Sequence, residues 1–157
     1  MFKKVVAVVV LGLVLGTAAV FADHPKGLGI GVQGGWSGNV GAGLSLKLPS
    51  VPVYWTVDAT FGAGFGLGVA GDYYLFDSDF SPNFGWYLGL GMAVNLGFYD
   101  PLVLAVGARL PFGLSWQPIK LLEVYIQLVP SIGLAILPDF GIWPNSFSGN
   151  LGIRLWL

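Results

Sequence analysis

Glycine and apolar residues alternate one for one through long uncharged stretches, and this beat restricts the chain more than anything else in it. Gly27-Leu28-Gly29-Ile30-Gly31-Val32 alternates strictly, and the pattern returns in Phe65-Gly66-Leu67-Gly68-Val69 and in Leu88-Gly89-Leu90-Gly91-Met92-Ala93-Val94. A helix with glycine at every second position would lose about 1 kcal/mol at each one. A strand needs only one apolar face. Residues 27–46 and 84–99 carry no charge, so charge alone would admit membrane helices; the glycines argue against them.

The alternation predicts eight strands, at 27–36, 39–48, 53–62, 64–76, 84–97, 102–114, 121–135 and 146–157. Turn chemistry separates them: Ser37-Gly38, Pro49-Ser50-Val51-Pro52, Gly62-Ala63-Gly64, Asp77 to Asn83, Tyr99-Asp100-Pro101, Gln117-Pro118 and Pro138 to Asn145. A tilted membrane strand takes about 9–11 residues, so eight fit within one domain of this length. Pro111 and Pro130 fall inside the sixth and seventh strands. A closed cylinder has no free edge for a proline, so bulges or early ladder ends are expected there.

Period two sorts the residues onto faces. One face carries Leu28, Ile30, Val32 and Trp36, then Leu44, Val57, Leu67, Leu90, Val106, Ile126, Ile153 and their like, with no charge inside a span. The other holds glycines, Gln33, Ser45, Thr56, Tyr74, Tyr87 and Asn95, together with Lys47, Asp58, Asp72, Arg109, Glu123 and Arg154. In hydrocarbon every backbone donor and acceptor must be paired, so strands cross a bilayer only as a closed ring. A lysine or arginine on its lipid face costs about 2–4 kcal/mol at mid-depth. The expectation is therefore a closed, antiparallel, eight-stranded up-and-down transmembrane β-barrel, all-β, with those six charges as a lumenal network. Trp36, Trp55, Tyr99, Trp116 and Trp143, near strand ends, suit the aromatic girdles at the two membrane interfaces.

The N-terminus has the order of a secretory signal: Lys3 and Lys4, an apolar run from Val5 to Leu15, then small residues up to Ala22. Cleavage after Ala22 would leave 23–157 as the barrel. The 55% apolar and 10% charged composition is too apolar for a disordered chain and too poor in charge for a soluble surface. Without cysteine there is no disulfide, cysteine metal site or lipidated N-terminal cysteine. After residue 22, five cations face eight carboxylates, and no basic stripe for nucleic acid remains. Acyl-transfer chemistry needs a base beside its nucleophile. The sole histidine, His24, lies in the tail beside Pro25. One histidine and scattered carboxylates give no metal-ligand spacing. No catalytic residue, metal or cofactor is read from the sequence.

Gly71-Asp72-Tyr73-Tyr74-Leu75, Trp86 to Gly91, Gly107 to Ser115, Glu123 through Pro130 and Gly152-Ile153-Arg154 together resemble a family of small bacterial outer-membrane β-barrels. The architecture is similar to the OmpA-type and OmpX-type eight-stranded barrels. The resemblance implies fold and outer-membrane location and brings no catalytic residues. Barrels of this kind usually finish with an aromatic residue read by the assembly machinery; this chain finishes Leu155-Trp156-Leu157.

Eight strands enclose an interior that side chains can fill. Inner glycines at 29, 31, 66, 68, 89 and 91 leave room for Tyr54, Tyr74, Tyr87 and Tyr125. The sequence reading is thus a monomeric outer-membrane barrel, exported through the periplasm, with a structural or surface-interaction role and a plugged polar lumen. Its partners would be outer-membrane lipid and the assembly machinery. Two alternatives stand beside it: a narrow pore for small solutes with the six charges as selectivity ring, and a soluble periplasmic barrel carrying lipid. If there is a partner surface, it is the connection Pro138 to Asn145, with Phe140, Ile142 and Trp143; those side chains could equally rest on lipid headgroups.

Overall fold

The computed structural model describes residues 25–157. The expected signal segment 1–22 and His24 lie outside the described residues. Nine strands form one antiparallel sheet: β1 (Gly29–Trp36), β2 (Val40–Lys47), β3 (Tyr54–Phe61), β4 (Phe65–Ser81), β5 (Phe84–Phe98), β6 (Val103–Arg109), β7 (Phe112–Ile119), β8 (Leu122–Leu137) and β9 (Gly141–Trp156). Neighbours in sequence pair in order, and β6 and β7 are two halves of one strand, both lying between β5 and β8. That makes eight positions. The sheet closes on itself where β1 meets β9, from Gly29 opposite Trp156 to Trp36 opposite Gly149. Leu28 and Leu157 extend the closure with reciprocal backbone bonds of 2.9 and 2.8 Å.

Connections at residues 37–39, 62–64, 99–102 and 138–140 mark one end of the ring, called upper here. Those at 48–53, 82–83 and 120–121, with Pro25 and Leu157, mark the lower end. Gly38 adopts φ +82° in the first upper turn, a conformation open to glycine and strained for other residues.

Several expected boundaries shift. Asp77 to Asn83 is not a loop, because β4 runs on to Ser81 and only Pro82-Asn83 turns the chain. A register shift between Tyr74 and Phe76 skips Leu75, and alternation resumes one residue out of phase. Clustered Asp, Ser and Pro read as a turn, yet the bulge lets the strand absorb them, and Asp77 becomes buried. Gln117-Pro118 likewise lies within β7, at an irregularity between Trp116 and Ile119, and the turn falls at Lys120-Leu121. The connection expected at Pro138 to Asn145 shrinks to 138–140, since β8 reaches Leu137 and β9 begins at Gly141.

The prolines fall at one place. Pro111 occupies the gap between β6 and β7, and Pro130 stays within β8. Leu110 donates to the Pro130 carbonyl at 3.0 Å and Gly89 to the Pro111 carbonyl at 2.7 Å. In an antiparallel pair each residue would return a bond through its own N–H, which proline lacks. Two reciprocal bonds are therefore missing side by side. The facing parity nonetheless survives the gap: Leu110 is exposed and Pro111 buried.

Candidate functional site

Strand alternation gives the ring two surfaces. Facing out are Ile30, Val32, Leu44, Val57, Leu67, Val69, Leu90, Met92, Ile126, Leu128, Leu151 and Ile153, all substantially exposed. Outward aromatics collect towards the ends. Below, Phe80 stacks on Phe84 and Phe84 on Trp116, with centroids 6.2 and 6.1 Å apart. Above, Trp36 meets Phe147 at 6.4 Å and Phe65 lies between Phe61 and Phe98. Among the described residues, every charged side chain within a strand occupies an inward register position: Lys47, Asp58, Asp72, Asp77, Asp79, Arg109, Glu123 and Arg154.

The lower interior is solid. Arg154, 2% exposed, sits at its centre. It donates from Nη1 to Glu123 Oε2 at 2.8 Å and from Nη2 to Ser45 Oγ at 3.0 Å. Trp156 Nε1 donates to the same Glu123 oxygen at 2.9 Å. The guanidinium lies 4.8 Å from the Tyr54 ring centre and 4.6 Å from that of Tyr125, a placement in which ring quadrupoles stabilise a cation. From Tyr54 a stack continues to Tyr74 at 4.0 Å and on to Tyr87 at 4.2 Å, nearly parallel. Tyr87 and Tyr125 donate their hydroxyls to Gln127 Oε1 at 3.0 Å and Gln33 Oε1 at 2.9 Å. The charge and the phenols are thus removed from water with partners supplied, as buried polar groups require.

Glycine makes this packing possible at defined register positions. Tyr87 is the cross-strand partner of Gly113, Tyr125 of Gly152 and Tyr74 of Gly89. A Cβ on Gly113 or Gly152 would run into the facing tyrosine ring, and one on Gly89 would come within 3.0 Å of Tyr74 Cδ1. The tyrosines lie flat over those bare positions instead of projecting down the axis.

The upper interior is open. A cavity of about 140 Å³ is lined by small and polar residues, among them Gln33, Thr60, Asn95, Ser148 and Asn150, with Asp58 and Arg109 as its charged groups. Arg109 Nε stands 3.1 Å from Asp72 Oδ1, where the cavity meets the solid half.

The six expected lumenal charges therefore separate. Arg154 pairs with Glu123 in the solid half and Arg109 with Asp72 at the boundary. Asp58 lines the cavity. Lys47, near the lower rim, donates to the Leu48 carbonyl at 2.8 Å and stands 5.6 Å from the Tyr54 ring centre. Among the five expected girdle aromatics, Trp36, Trp55 and Trp116 face outward. Tyr99 covers Gly64 and Gly97 at the upper rim, and Trp143 lines the cavity. Several interior residues escaped the sequence reading. Trp156 could have been found by extending the parity of Arg154 by two residues; Asp77 could not, because the Leu75 bulge moves it inward. Gln127 follows from Tyr125 by the same two-residue step, and Asp79 shares the fate of Asp77.

No protein-family model and no curated protein matches the chain. Among solved structures, the N-terminal β-barrel domain of Pseudomonas aeruginosa OprF matches with a TM-score of 0.59 at 14% identity, over 83% of this chain and 96% of that one. Neisserial surface protein A (NspA) matches with a TM-score of 0.47 at 15% identity, over 83% of this chain and 94% of that one. The likeness to the OprF domain is one of fold, an eight-position antiparallel β-barrel.

Proposed function

We propose that this chain is a small integral outer-membrane β-barrel whose lumen is plugged, acting as a structural or surface-interaction element of that membrane and not as a conduit. One observation carries the reading: all in-strand charges of the described residues point inward, while the outer wall is apolar between aromatic ends. Water would solvate such a wall poorly, whereas acyl chains match it. The fold likeness to the OprF barrel domain supports the same location. Outer-membrane lipid and the assembly machinery are the partners this implies, with export through the periplasm.

A narrow pore draws support from the polar upper cavity. Against it stands the tyrosine stack with Arg154 and Glu123 across the lower half. A lipid-carrying periplasmic barrel would need an apolar interior, and this one is polar. The test is to extract the protein from the outer-membrane fraction, follow its heat-modifiable migration, and record currents in planar bilayers. Membrane recovery with electrical silence is expected. Steady unit currents would overturn the plugged lumen, and recovery as a water-soluble protein would overturn the membrane assignment.

A further inference from the structure

The upper cavity meets the Asp72–Arg109 pair at its floor and reaches the first upper turn at Ser37 and Asn39. Two inward residues of β3 stand between glycines on both sides: Asp58 lies opposite Gly43 and Gly68, and Thr60 opposite Gly41 and Gly66. Asn95 of β5 faces Gly68 from the other flank. A Cβ built on Gly68 would stand 2.8 Å from Asp58 Oδ1 and 2.9 Å from Asn95 Oδ1, and one on Gly66 would meet Thr60 Oγ1. Three oxygens thus lean over one bare strip of β4, where the lower half lays tyrosine rings over its glycines. Among the described residues, none of these three side chains has a hydrogen-bond partner, and Asp58 has no ion pair.

We propose that the upper cavity binds a small organic cation with a primary ammonium head and a hydroxylated body. A donor seated just inside Gly68 reaches Asp58 and Asn95 together, and an ammonium carries a further N–H for Thr60. Charge selects the head. Arg109 is already opposed by Asp72 at 3.1 Å, so Asp58 is the cavity's carboxylate without a counter-ion. An anion would meet that carboxylate, and a neutral solute would leave it uncompensated. Calcium takes about 6–8 oxygen ligands, and one carboxylate with two neutral oxygens falls short of that set. Size and lining select the body. An engineered cavity of about 150 Å³ holds benzene, so roughly six non-hydrogen atoms fit a space of this order, and the upper cavity measures about 140 Å³. Ser148 and Asn150 line it from β9, four positions round the ring from β4 in either direction, and offer hydrogen bonds to hydroxyls on the body. The site needs only the hollow upper half, and it stands whether or not the ring spans a membrane.

The test is an NMR titration of the full processed chain, labelled with nitrogen-15 in an uncharged maltoside detergent, with 2-amino-1,3-propanediol near neutral pH. Saturable shifts are expected at the Gly66 and Gly68 amides and the Asn95 side-chain amide, with Gly113 and Gly152 in the solid half unmoved. Glycerol, in which a hydroxyl replaces the ammonium, should bind about tenfold more weakly or worse, since a charge-assisted hydrogen bond is lost. Asp58→Asn keeps the shape of the side chain and should weaken the amine by a similar factor. Absence of saturable shifts, or glycerol binding as tightly as the amine, would overturn the proposal. Tetramethylammonium binding equally well would overturn the hydrogen-bonded head, and sodium chloride displacing the amine at equal concentration would overturn it in favour of a plain inorganic cation site. The comparison of amine with glycerol on the wild-type chain decides even if the variant fails to fold.

Discussion

The lower and upper halves of the ring share strands, parity and closure, yet one is solid and the other hollow. Below, Tyr54, Tyr74, Tyr87, Tyr125 and Trp156 project inward around Arg154; above, the inward positions hold Gly35, Gly41, Thr60, Ala93, Asn95, Ser148 and Asn150. The difference lies in volume more than in polarity, since both halves carry charge. Large rings need bare neighbours to lie upon, and the lower half supplies them at Gly89, Gly113 and Gly152. Where small residues face small residues, the axis stays open. Filling is therefore a property of cross-strand pairs and not of single positions.

Removing the central charge should distinguish the halves most sharply. Arg154→Met leaves Glu123 buried without its cation, and stripping one partner from a buried pair costs about 3–5 kcal/mol. Urea titration in vesicles should show that loss, with partial recovery in the Arg154→Met, Glu123→Gln double variant. Stability equal to wild type in the single variant would mean that the solid half is not held by its ion pair.

A smaller effect is expected from the bare positions. Gly152→Ala drives a methyl into the Tyr125 ring, and overpacking of this kind costs about 1–3 kcal/mol. Gly34→Ala, whose nearest neighbour would be 3.8 Å away, should stay within about 0.5 kcal/mol. Equal losses at both sites would show that strand propensity, and not the tyrosine contact, governs these glycines.

The boundary and the hollow half should respond least. Arg109→Met removes a partner of Asp72 next to an open cavity, where water can replace it, so a loss of about 1–2 kcal/mol is expected. Asp58→Asn, in the cavity itself, should change thermal stability in detergent by under about 0.5 kcal/mol. Unchanged stability in Arg109→Met would remove Arg109 from any structural role, and a large loss in Asp58→Asn would show the upper half to be as tightly coupled as the lower.

The sequence announces the wall better than its contents. Alternation at Gly27 to Val32 or Leu88 to Val94 is local, so strand type, strand pairing into a ring and the inward side of Arg109, Glu123 and Arg154 all follow from it. What escaped depends on register between distant segments. Nothing near Tyr125 shows that Gly152 will lie opposite, and nothing near Pro111 shows that Pro130 will face the same gap. Asp77 was hidden because a run of Asp, Ser and Pro carries turn chemistry, while the Leu75 bulge that overrides it is set by pairing with β5.

An outer wall that has only to be oily asks little of its individual members. In the proposed membrane setting, Val, Leu, Ile, Phe or Met can trade places at an outward position so long as acyl chains still wet it, because no directional bond names the occupant. Roughly every second residue of such a protein is thus free to drift as it passes from one lineage to another, and its ancestry fades from the letters long before it fades from the shape.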